Sequence, residues 1–475
     1  MKSAISDTAI TGGAGRAVRG AGKKGRAGGK PLYSRAAQES PYWNEYLETM
    51  PRRELDAMHL RRLKGLIHHA YHNVPMYRDI YDKAGVKPED IRTLDDYVKK
   101  LPSIDKSDVS LYQKQGKATV AGSEEHVTFM YQTSGTSGNI LLEPGHYPDL
   151  VNKWTYQWWA HGIRPNDTYY FAFPFGTFMA FWSAYIDALL MGGQTITGGG
   201  VDTKTRILQI QQFRPTVLVA TPTYALRLAE VAREMGVDPR ATSVRIVTTA
   251  GEPGAIVPAI RRAIEDAWDA KALDLYGVSE LWGSTSWECP KHEDRMHFSE
   301  ASGYGIVVDE KGGLMPDGGK GEFLVTSYES TVQPLIKYRT HDLVEWHKEP
   351  CDCGRTWLSL RGGVLARTDQ MVTVKGTNVY PTSVQVLLGE VRGLSERVEI
   401  HINGGEAVPT TVAVKVEPNA GVEEANFPAL KVQAEKLLHD MIGVTIPVEV
   451  VPPLSLPRYE LKAKVVFDHR PKRTA

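Results

Sequence analysis

The sequence predicts an α/β protein with a large N-terminal domain, made of α/β subdomains and a β-rich subdomain, followed by a small α+β C-terminal lid. The chain has 475 residues, too many for one simple domain. Short β-branched runs alternate with helical stretches through its middle, which is typical of a sheet with crossover connections. The C-terminal segment carries strand runs and an amphipathic helix of its own, so it is expected to fold separately.

The N-terminal part combines a tail with a helix. Residues 1–30 are rich in Gly, Ala and basic side chains and have little that could pack, so a flexible basic tail is expected. A helix is predicted from Pro51, because apolar residues such as Leu63 and Ile67 recur at three- and four-residue spacing. It should end just before Pro75, since proline disfavours helix in the preceding residue.

The remaining elements follow in order. Residues 216–220 and 245–249 are short apolar runs of the buried-strand type, and a helical pattern follows the first of them. After about residue 320 the strands are more closely spaced, as in an antiparallel barrel or subdomain. The C-terminal segment is predicted to contain strands at residues 398–402, 411–416 and 444–450 around one helix. The predicted domains are the tail 1–30, an N-terminal domain 31–367 and a lid 368–475.

Composition excludes several classes of protein. Hydrophobic residues make up 42% and charged residues 24%, and Lys+Arg and Asp+Glu are 56 each. This balance argues against a protein held on nucleic acid or on an anionic membrane by bulk charge. No apolar run of transmembrane length, no secretory signal pattern and only three cysteines are present, so a soluble cytoplasmic protein is expected.

The most informative motif is Tyr-Gln-Thr-Ser-Gly-Thr-Ser-Gly-Asn at residues 131–139. Two glycines among small hydroxyl residues make a loop whose backbone N–H groups and hydroxyls can wrap a polyphosphate, although a Gly/Ser surface loop has a similar composition. It is not a Walker A loop, because Asn139 occupies the place of the required lysine.

Further motifs carry groups suited to a nucleotide. In residues 274–280 an aromatic, a glycine, a hydroxyl and a carboxylate follow a strand, and they could stack a base, admit a phosphate and hold Mg²⁺. Asp342 ends another strand and could bind vicinal ribose hydroxyls. Two more motifs lie at residues 366–381 and 456–464. Singly, each is a weak signal.

In this order and spacing the five motifs resemble the AMP-forming acyl-CoA synthetase (adenylate-forming) superfamily, and within it the phenylacetate–CoA ligase-like branch. The resemblance begins at about residue 35 and covers nearly all of the chain after it. It implies ATP, Mg²⁺, coenzyme A and a small-molecule carboxylic acid as ligands, and the balanced charge together with the lack of an apolar span predicts neither nucleic acid nor membrane as a partner. It also implies a hinged lid that swings between two half-reactions.

The resemblance assigns roles residue by residue. The residues implied to bind ATP or AMP are Thr133, Ser134, Gly135, Thr136, Ser137, Gly138, Gly251, Glu252, Pro253, Tyr276, Gly277, Ser279, Asp342 and Arg367. Glu280 would help to hold Mg²⁺, and Lys462 would be the lysine of the adenylation step. Asp369 would be the hinge, and Lys375 and Gly376 would lie on the loop of the thioester step.

Some positions depart from the family pattern. Leu461 stands where a glycine usually precedes the catalytic lysine, and Lys464 is a competing candidate for that role. Ala366 and Gln370 replace a glycine and an acid beside the hinge, and His341 replaces the usual residue before the ribose aspartate. Neither hinge replacement should abolish the hinge.

The cysteines predict a structural zinc site. Cys289, Cys351 and Cys353 could supply three thiolates, and His297 would complete a tetrahedral set, with His292 as the alternative ligand. Related ligases carry a similar Cys/His cluster. The other interpretation is that three buried, inert cysteines simply pack in a core.

Residues 171–182 are expected to line the acid pocket. Phe175, Phe178 and Trp182 would crowd a stretch that is glycine-rich in phenylacetate ligases, so a small acid, branched or hydroxylated, such as 2-hydroxyisobutyrate, is predicted. If these aromatics face the core instead, an aryl acid such as phenylacetate or a benzoate remains an alternative. Transfer to a carrier protein, and a non-catalytic nucleotide-binding protein of the same fold, are further alternatives.

Overall fold

The computed structural model describes residues 38–116, 119–121, 127–133, 141–176, 179–281, 283–375, 377–404, 409–459 and 463–470. The predicted basic tail at residues 1–30 lies outside these ranges. None of the helices within them is both long and apolar enough to cross a membrane.

The N-terminal part of the chain is mostly helical, and its longest helix has 22 residues. The helices are Glu45–Glu48 (α1), Arg52–Asn73 (α2), Pro75–Lys83 (α3), Leu94–Lys100 (α4) and Lys106–Lys114 (α5). The stripe predicted on α2 is buried, including Leu63 and Ile67, and α2 ends before Pro75 as predicted. Asp105 caps α5 by accepting hydrogen bonds from the N–H groups of Ser107 and Asp108.

Two short strands flank the predicted phosphate loop. Phe129–Gln132 (β1) pairs antiparallel with Leu142–Gly145 (β2), with Gln132 opposite Leu142. The helix Thr155–Ala160 (α6) follows. Every residue of the loop motif after Thr133 lies outside the described residues.

The middle of the chain forms parallel strands separated by helices, as the alternation predicts. Its elements are Thr168–Phe171 (β3), Met179–Leu190 (α7), Gln194–Thr197 (β4), Thr203–Phe213 (α8), Val217–Ala220 (β5), Pro222–Glu234 (α9), Ile246–Thr249 (β6), Pro258–Trp268 (α10) and Lys271–Val278 (β7). The strand order is β4-β3-β5-β6-β7, and all neighbouring pairs are parallel. Their carboxyl ends therefore meet at one edge, where open α/β sheets bind ligands.

The β-rich part continues the same sheet. Its strands are Gly283–Glu288 (β8), Arg295–Phe298 (β9), Gly303–Val308 (β10), Lys320–Ser327 (β11), Tyr338–His347 (β12) and Ser359–Arg367 (β13). Within the described residues they extend the parallel strands to an 11-stranded sheet in the order β10-β11-β12-β13-β9-β8-β7-β6-β5-β3-β4.

Two details of this region differ from the prediction. The closely spaced antiparallel strands begin at Gly283 instead of at about residue 320, and within the described residues they are continuous with the parallel strands. The reason is the length of β7: its first half pairs in parallel with β6, and its second half pairs antiparallel with β8. One strand therefore joins the two kinds of sheet.

The C-terminal unit has its own core. Its elements are Val372–Val374 (β14), Thr377–Val379 (β15), Pro381–Gly389 (α11), Leu394–Asn403 (β16), Thr411–Pro418 (β17), Phe427–Ile442 (α12), Val448–Val450 (β18) and Val466–Asp468 (β19). The sheet β18-β17-β16-β19 packs on the helices through buried residues such as Ile400, Val414 and Leu438. The last predicted strand was too long, because only Val448–Val450 pairs with β17.

Candidate active site

A cavity of about 1510 Å³ lies between the carboxyl edge of the parallel strands and the C-terminal unit. Predicted nucleotide and hinge residues line it, namely Gly251, Glu252, Pro253, Tyr276, Gly277, Asp342, Arg367 and Asp369. The C-terminal unit contributes Tyr380, Arg397 and Lys464 among others. These residues come from distant parts of the sequence, and the fold brings them together.

Asp342, which was predicted at a strand end, lies inside β12 and is the centre of the polar network in this cavity. The hydroxyl of Tyr276 donates to its Oδ2 at 2.5 Å, and a guanidinium N–H of Arg367 donates to its Oδ1 at 3.1 Å. Burial raises the pKa of the Asp342 carboxyl, and the charge of Arg367 opposes that rise. Arg367 also holds Asp369 through two further hydrogen bonds, at 2.9 and 2.7 Å. The predicted ribose and hinge carboxylates thus share one arginine.

The loop 251–254 follows β6 and rests on a buried carboxylate. Asp274 Oδ2 accepts the N–H groups of Gly254 and Ile256 at 3.1 Å each, and Thr249 donates to its Oδ1 at 3.2 Å. Burial raises the pKa of Asp274 to about 7. Gly251 has φ +90°, a backbone conformation that favours glycine. Asp274 is the first residue of the motif 274–280, and its contacts with this loop could be recognised only from the fold.

Glu252, a residue of this loop, contacts both the body of the protein and the C-terminal unit. Its Oε2 accepts the hydroxyl of Thr223 at 2.6 Å and the N–H of Thr223 at 3.3 Å. Its Oε1 accepts the N–H of Ala463 at 2.6 Å. The residue predicted to frame the adenine therefore also contacts the segment that carries Lys462, which is itself outside the described residues.

The predicted Mg²⁺ ligand lies beside the phosphate loop. Glu280, in the short 3₁₀ turn Ser279–Leu281, is 3.2 Å from the ammonium of Lys106, and Lys106 donates to the hydroxyl of Thr133 at 3.0 Å. Thr133 and Leu141 exchange two hydrogen bonds of 3.0 Å, so both ends of the loop are fixed. Neither Ser279 nor Glu280 lines the large cavity.

Glu143 is a second carboxylate whose charge interacts with that of Glu280, and no sequence motif indicated it. It is buried on β2, and neither of its carboxylate oxygens has a hydrogen-bond partner within the described part of the chain. Burial, together with the negative charge of Glu280, raises its pKa well above the ordinary value. Glu280 offers carboxylate oxygens of the kind that Mg²⁺ prefers, so this residue fits its predicted role.

His341, which replaces the residue usual in the family, interacts with carboxylates from the cap of α5 and from β11. It has φ 60° and lies 3.7 Å from a carboxylate oxygen of Asp105 and 3.2 Å from one of Glu322. The neighbouring carboxylates of Asp105 and Glu322 raise the pKa of His341 to about 9, so the ring is a cation at neutral pH. Since Asp105 caps α5, this cation supports the start of the helix that presents Lys106.

The predicted acid-pocket aromatics pack against one another. The rings of Phe175 and Trp182 are 4.9 Å apart, and Phe173 stacks on Phe181 at 3.9 Å. Trp182 donates its indole N–H to the carbonyl of Gly176 at 3.0 Å. Phe175 and Trp182 do not line the large cavity, and Phe178 lies outside the described residues.

Lys375, one of the two residues predicted for the thioester step, is not part of the lining of the nucleotide cavity. With φ 50°, it occupies the turn between β14 and β15. Its neighbour Gly376 lies outside the described residues. Lys464, the competing candidate for the adenylation lysine, lines the cavity with its ammonium 4.5 Å from the ring centre of Phe467.

The cysteines form a buried cluster away from this cavity. One ligand atom from each of Cys289, His297, Cys351 and Cys353 can be chosen so that all four lie within 4.8 Å of one another. The sulfurs of Cys289 and Cys351 are 3.7 Å apart, close to the edge of about 3.8 Å that Zn–S bonds of about 2.3 Å give in a tetrahedron. His297 Nε2 is 3.2 Å from the sulfur of Cys353, whereas His292 is engaged with Asp352 at 2.5 Å. The donor set fits zinc, with His297 in the position of the fourth ligand.

Comparison with known proteins agrees with the motifs and the fold. The family profile "AMP-binding enzyme" matches residues 63–332, and "AMP-binding enzyme C-terminal domain" matches residues 376–470. The phenylacetate-coenzyme A ligase of Aromatoleum evansii is 32% identical over 91% of this chain and 98% of its own length.

Solved structures resemble the whole arrangement. A 2-hydroxyisobutyryl-CoA ligase in the postadenylation state, in complex with 2-HIB-AMP, has a TM-score of 0.84 at 28% identity, over 90% of this chain and 93% of its own. The same enzyme in the thioesterification state, with 2-HIB-AMP and CoA, has a TM-score of 0.68 at 29% identity, over 91% and 93%. The chain is thus more similar to the postadenylation arrangement.

These matches confirm the predicted family, branch and fold class. The motifs, the α/β body with its smaller C-terminal unit, and the sequence relatives all lead to the same conclusion. The chain belongs to the AMP-binding enzyme family.

Proposed function

We propose that this protein is an ATP-dependent, AMP-forming acid–CoA ligase that makes an acyl-AMP and then an acyl-CoA thioester. The observation that carries the proposal is the cavity in which Asp342, Tyr276, Arg367 and the loop 251–253 converge beside the C-terminal unit. The ligase activities of the related proteins support the same reaction class. We place the reaction in the cytoplasm, where its proposed ATP and coenzyme A are made and used.

In the first half-reaction a carboxylate oxygen attacks the α-phosphorus of ATP, and the bond to the β-phosphate breaks to release pyrophosphate. Asp342 would accept the ribose hydroxyls, and Tyr276 and the loop 251–253 would hold the adenine. Lys462 and the loop that begins at Thr133 would stabilise the negative charge that develops on the phosphate oxygens. Mg²⁺, held by Glu280, would neutralise part of that charge.

In the second half-reaction the thiolate of coenzyme A attacks the acyl carbon, and AMP leaves. Because Lys375 does not line the cavity in the arrangement described here, we propose that the lid rotates about Asp369 to bring in the loop at Lys375 and Gly376. The hydrogen bonds from Arg367 to Asp369 would hold the hinge until that rotation.

We propose a small acid, such as 2-hydroxyisobutyrate, as the substrate. The rings of Phe175 and Trp182 pack against each other, as do those of Phe173 and Phe181, and aromatic packing that fills the stretch 171–182 expected to line the acid pocket supports a small acid. The phenylacetate ligases among the relatives favour an aryl acid as the second candidate.

A direct comparison of rates distinguishes the small acid from the aryl acid as the substrate. AMP formation with ATP and Mg²⁺ would be measured on acetate, 2-hydroxyisobutyrate, benzoate and phenylacetate, each with and without coenzyme A. We expect the highest kcat/KM on a short branched or hydroxylated acid and sustained turnover only with coenzyme A. Preference for phenylacetate or benzoate would retain the ligase and overturn the small-acid proposal, whereas ATP binding without any acid-dependent turnover would favour a non-catalytic protein.

We also propose a structural zinc ion held by Cys289, His297, Cys351 and Cys353. Four protein ligands would leave no open position, so the ion would stabilise the fold without taking part in catalysis. A guanidinium N–H of Arg355 is 3.8 Å from the sulfur of Cys353, which supports a thiolate there. The ion would tie the β8–β9 hairpin to the segment before β13.

A further inference from the structure

Glu252 forms a direct hydrogen-bonded bridge between the body and the C-terminal unit. Both of its carboxylate oxygens act as acceptors: Oε2 takes the hydroxyl of Thr223 at 2.6 Å, and Oε1 takes the backbone N–H of Ala463 at 2.6 Å. A carboxylate can accept on both oxygens at once, whereas a carboxamide has only one acceptor oxygen. The bridge therefore needs a glutamate in particular.

The body side of this bridge is rigid. Thr223 lies in the first turn of α9, whose cap is Thr221, and the N–H of Thr223 also donates to Glu252 at 3.3 Å. First-turn N–H groups lack partners within the helix, and negative charge is favoured at that end of a helix. Glu252 is thus anchored on the body by two donors before it contacts the C-terminal unit.

The other side of the bridge is next to the proposed adenylation lysine. Ala463 directly follows Lys462, and consecutive Cα atoms are about 3.8 Å apart. Glu252 therefore holds the residue that directly follows Lys462. The arrangement in which this contact is made is more similar to that of the postadenylation relative than to that of the thioesterification relative.

We propose that Glu252 is a positioning residue of the first half-reaction, which holds the Lys462 segment against the nucleotide site and releases it when the lid rotates. This inference rests on the proposed ligase function and adds a role specific to one step. A residue that only bound adenine would matter in both steps, since ATP and acyl-AMP carry the same base. A residue that positions Lys462 matters only while ATP is being attacked.

Separate assays of the two half-reactions test this inference. The probes are the acid that gives the highest rate in wild-type protein and its chemically synthesised acyl-AMP. Acid-dependent ATP–pyrophosphate exchange reports the first step, and acyl-CoA formation from acyl-AMP and coenzyme A reports the second. We expect Glu252→Gln to slow exchange by about 10- to 100-fold, as loss of a charged hydrogen bond would, and to slow the second reaction by at least about fivefold less, because only the framing of the adenine is common to both steps.

Three further variants make the result specific. Lys462→Ala should also slow ATP–pyrophosphate exchange much more than acyl-CoA formation, and it serves as the reference. Thr223→Val, which removes one anchor of Glu252, should slow exchange in the same direction by a smaller factor, and it keeps the inference testable if Glu252→Gln does not fold. Glu230→Gln breaks another contact between body and lid, the ion pair with Arg397, and should leave exchange within about twofold of wild type.

Two results would overturn the inference. Equal slowing of both half-reactions by Glu252→Gln, with a raised KM for acyl-AMP, would assign Glu252 to nucleotide binding alone. An exchange rate that Glu252→Gln leaves unchanged would mean that Glu252 has no positioning role. Failure of the proposed function itself would look different, because wild-type protein would then show no acid-dependent exchange with any acid.

Discussion

Replacing Asp342 with alanine is expected to lower kcat/KM for ATP in acyl-AMP formation by about 100- to 1000-fold. Asp342 is the buried acceptor for Tyr276 and Arg367, and it is the group proposed to bind the ribose hydroxyls. Hydrogen bonds to a charged group contribute about 1.5–3 kcal/mol each, and about 1.4 kcal/mol corresponds to a factor of ten. The variant also leaves Arg367 without one of its two carboxylate partners.

The matched control lies on the same strand. Glu345 is three residues further along β12, on the opposite face, where it pairs with Lys320 at 3.3 Å. Glu345→Gln should keep kcat/KM within about twofold of wild type, since its ion-pair partner Lys320 is largely exposed and such pairs contribute little. Thermal unfolding of both variants separates loss of binding from loss of fold. Near-normal kcat/KM for Asp342→Ala in a folded protein would contradict the assignment.

Replacing Cys351 with serine is expected to remove bound zinc and to lower Tm by about 10 °C, the second large effect. The thiolates come from a hairpin and a separate turn, so losing one ligand would break a cross-link within the sheet region and leave buried polar groups without their ion. Metal analysis of purified wild-type protein should give about one zinc per chain.

The two candidate histidines provide the control for the zinc site. His297→Gln should lose zinc as Cys351→Ser does, because His297 lies against Cys353 in the buried cluster. His292→Gln should keep zinc, since His292 pairs with Asp352 on the outside of the cluster. Zinc retained by His297→Gln but lost by His292→Gln would reverse the ligand assignment, and wild-type protein without any zinc would reject the site.

Much of the fold is predictable from local patterns. The alternation around β5 and β6 predicts a sheet with crossover connections, and the apolar stripe of α2 predicts its buried face. The continuity of the large sheet is not predictable in this way. It depends on β7 pairing with β6 in one half and with β8 in the other, and neither partner is visible in the sequence of β7 alone.

The nucleotide residues converge for a topological reason. The loop 251–254 follows β6 and Tyr276 lies near the end of β7, and parallel strands place such positions at one edge. By contrast, the roles of Asp274, Thr223 and Glu143 could not be predicted. Each depends on which backbone or carboxylate lies beside it across strands or domains, and no local motif encodes that neighbour.

The central claim, an acyl-AMP intermediate, is tested most directly with an acid labelled with ¹⁸O in both carboxylate oxygens. If a carboxylate oxygen attacks the α-phosphorus and coenzyme A then attacks the acyl carbon, one labelled oxygen must leave with AMP and the other must stay in the acyl-CoA. Mass spectrometry should therefore find AMP with a single ¹⁸O, together with unlabelled pyrophosphate. Formation of ADP with label in inorganic phosphate would instead mean an acyl-phosphate route, and it would contradict the account.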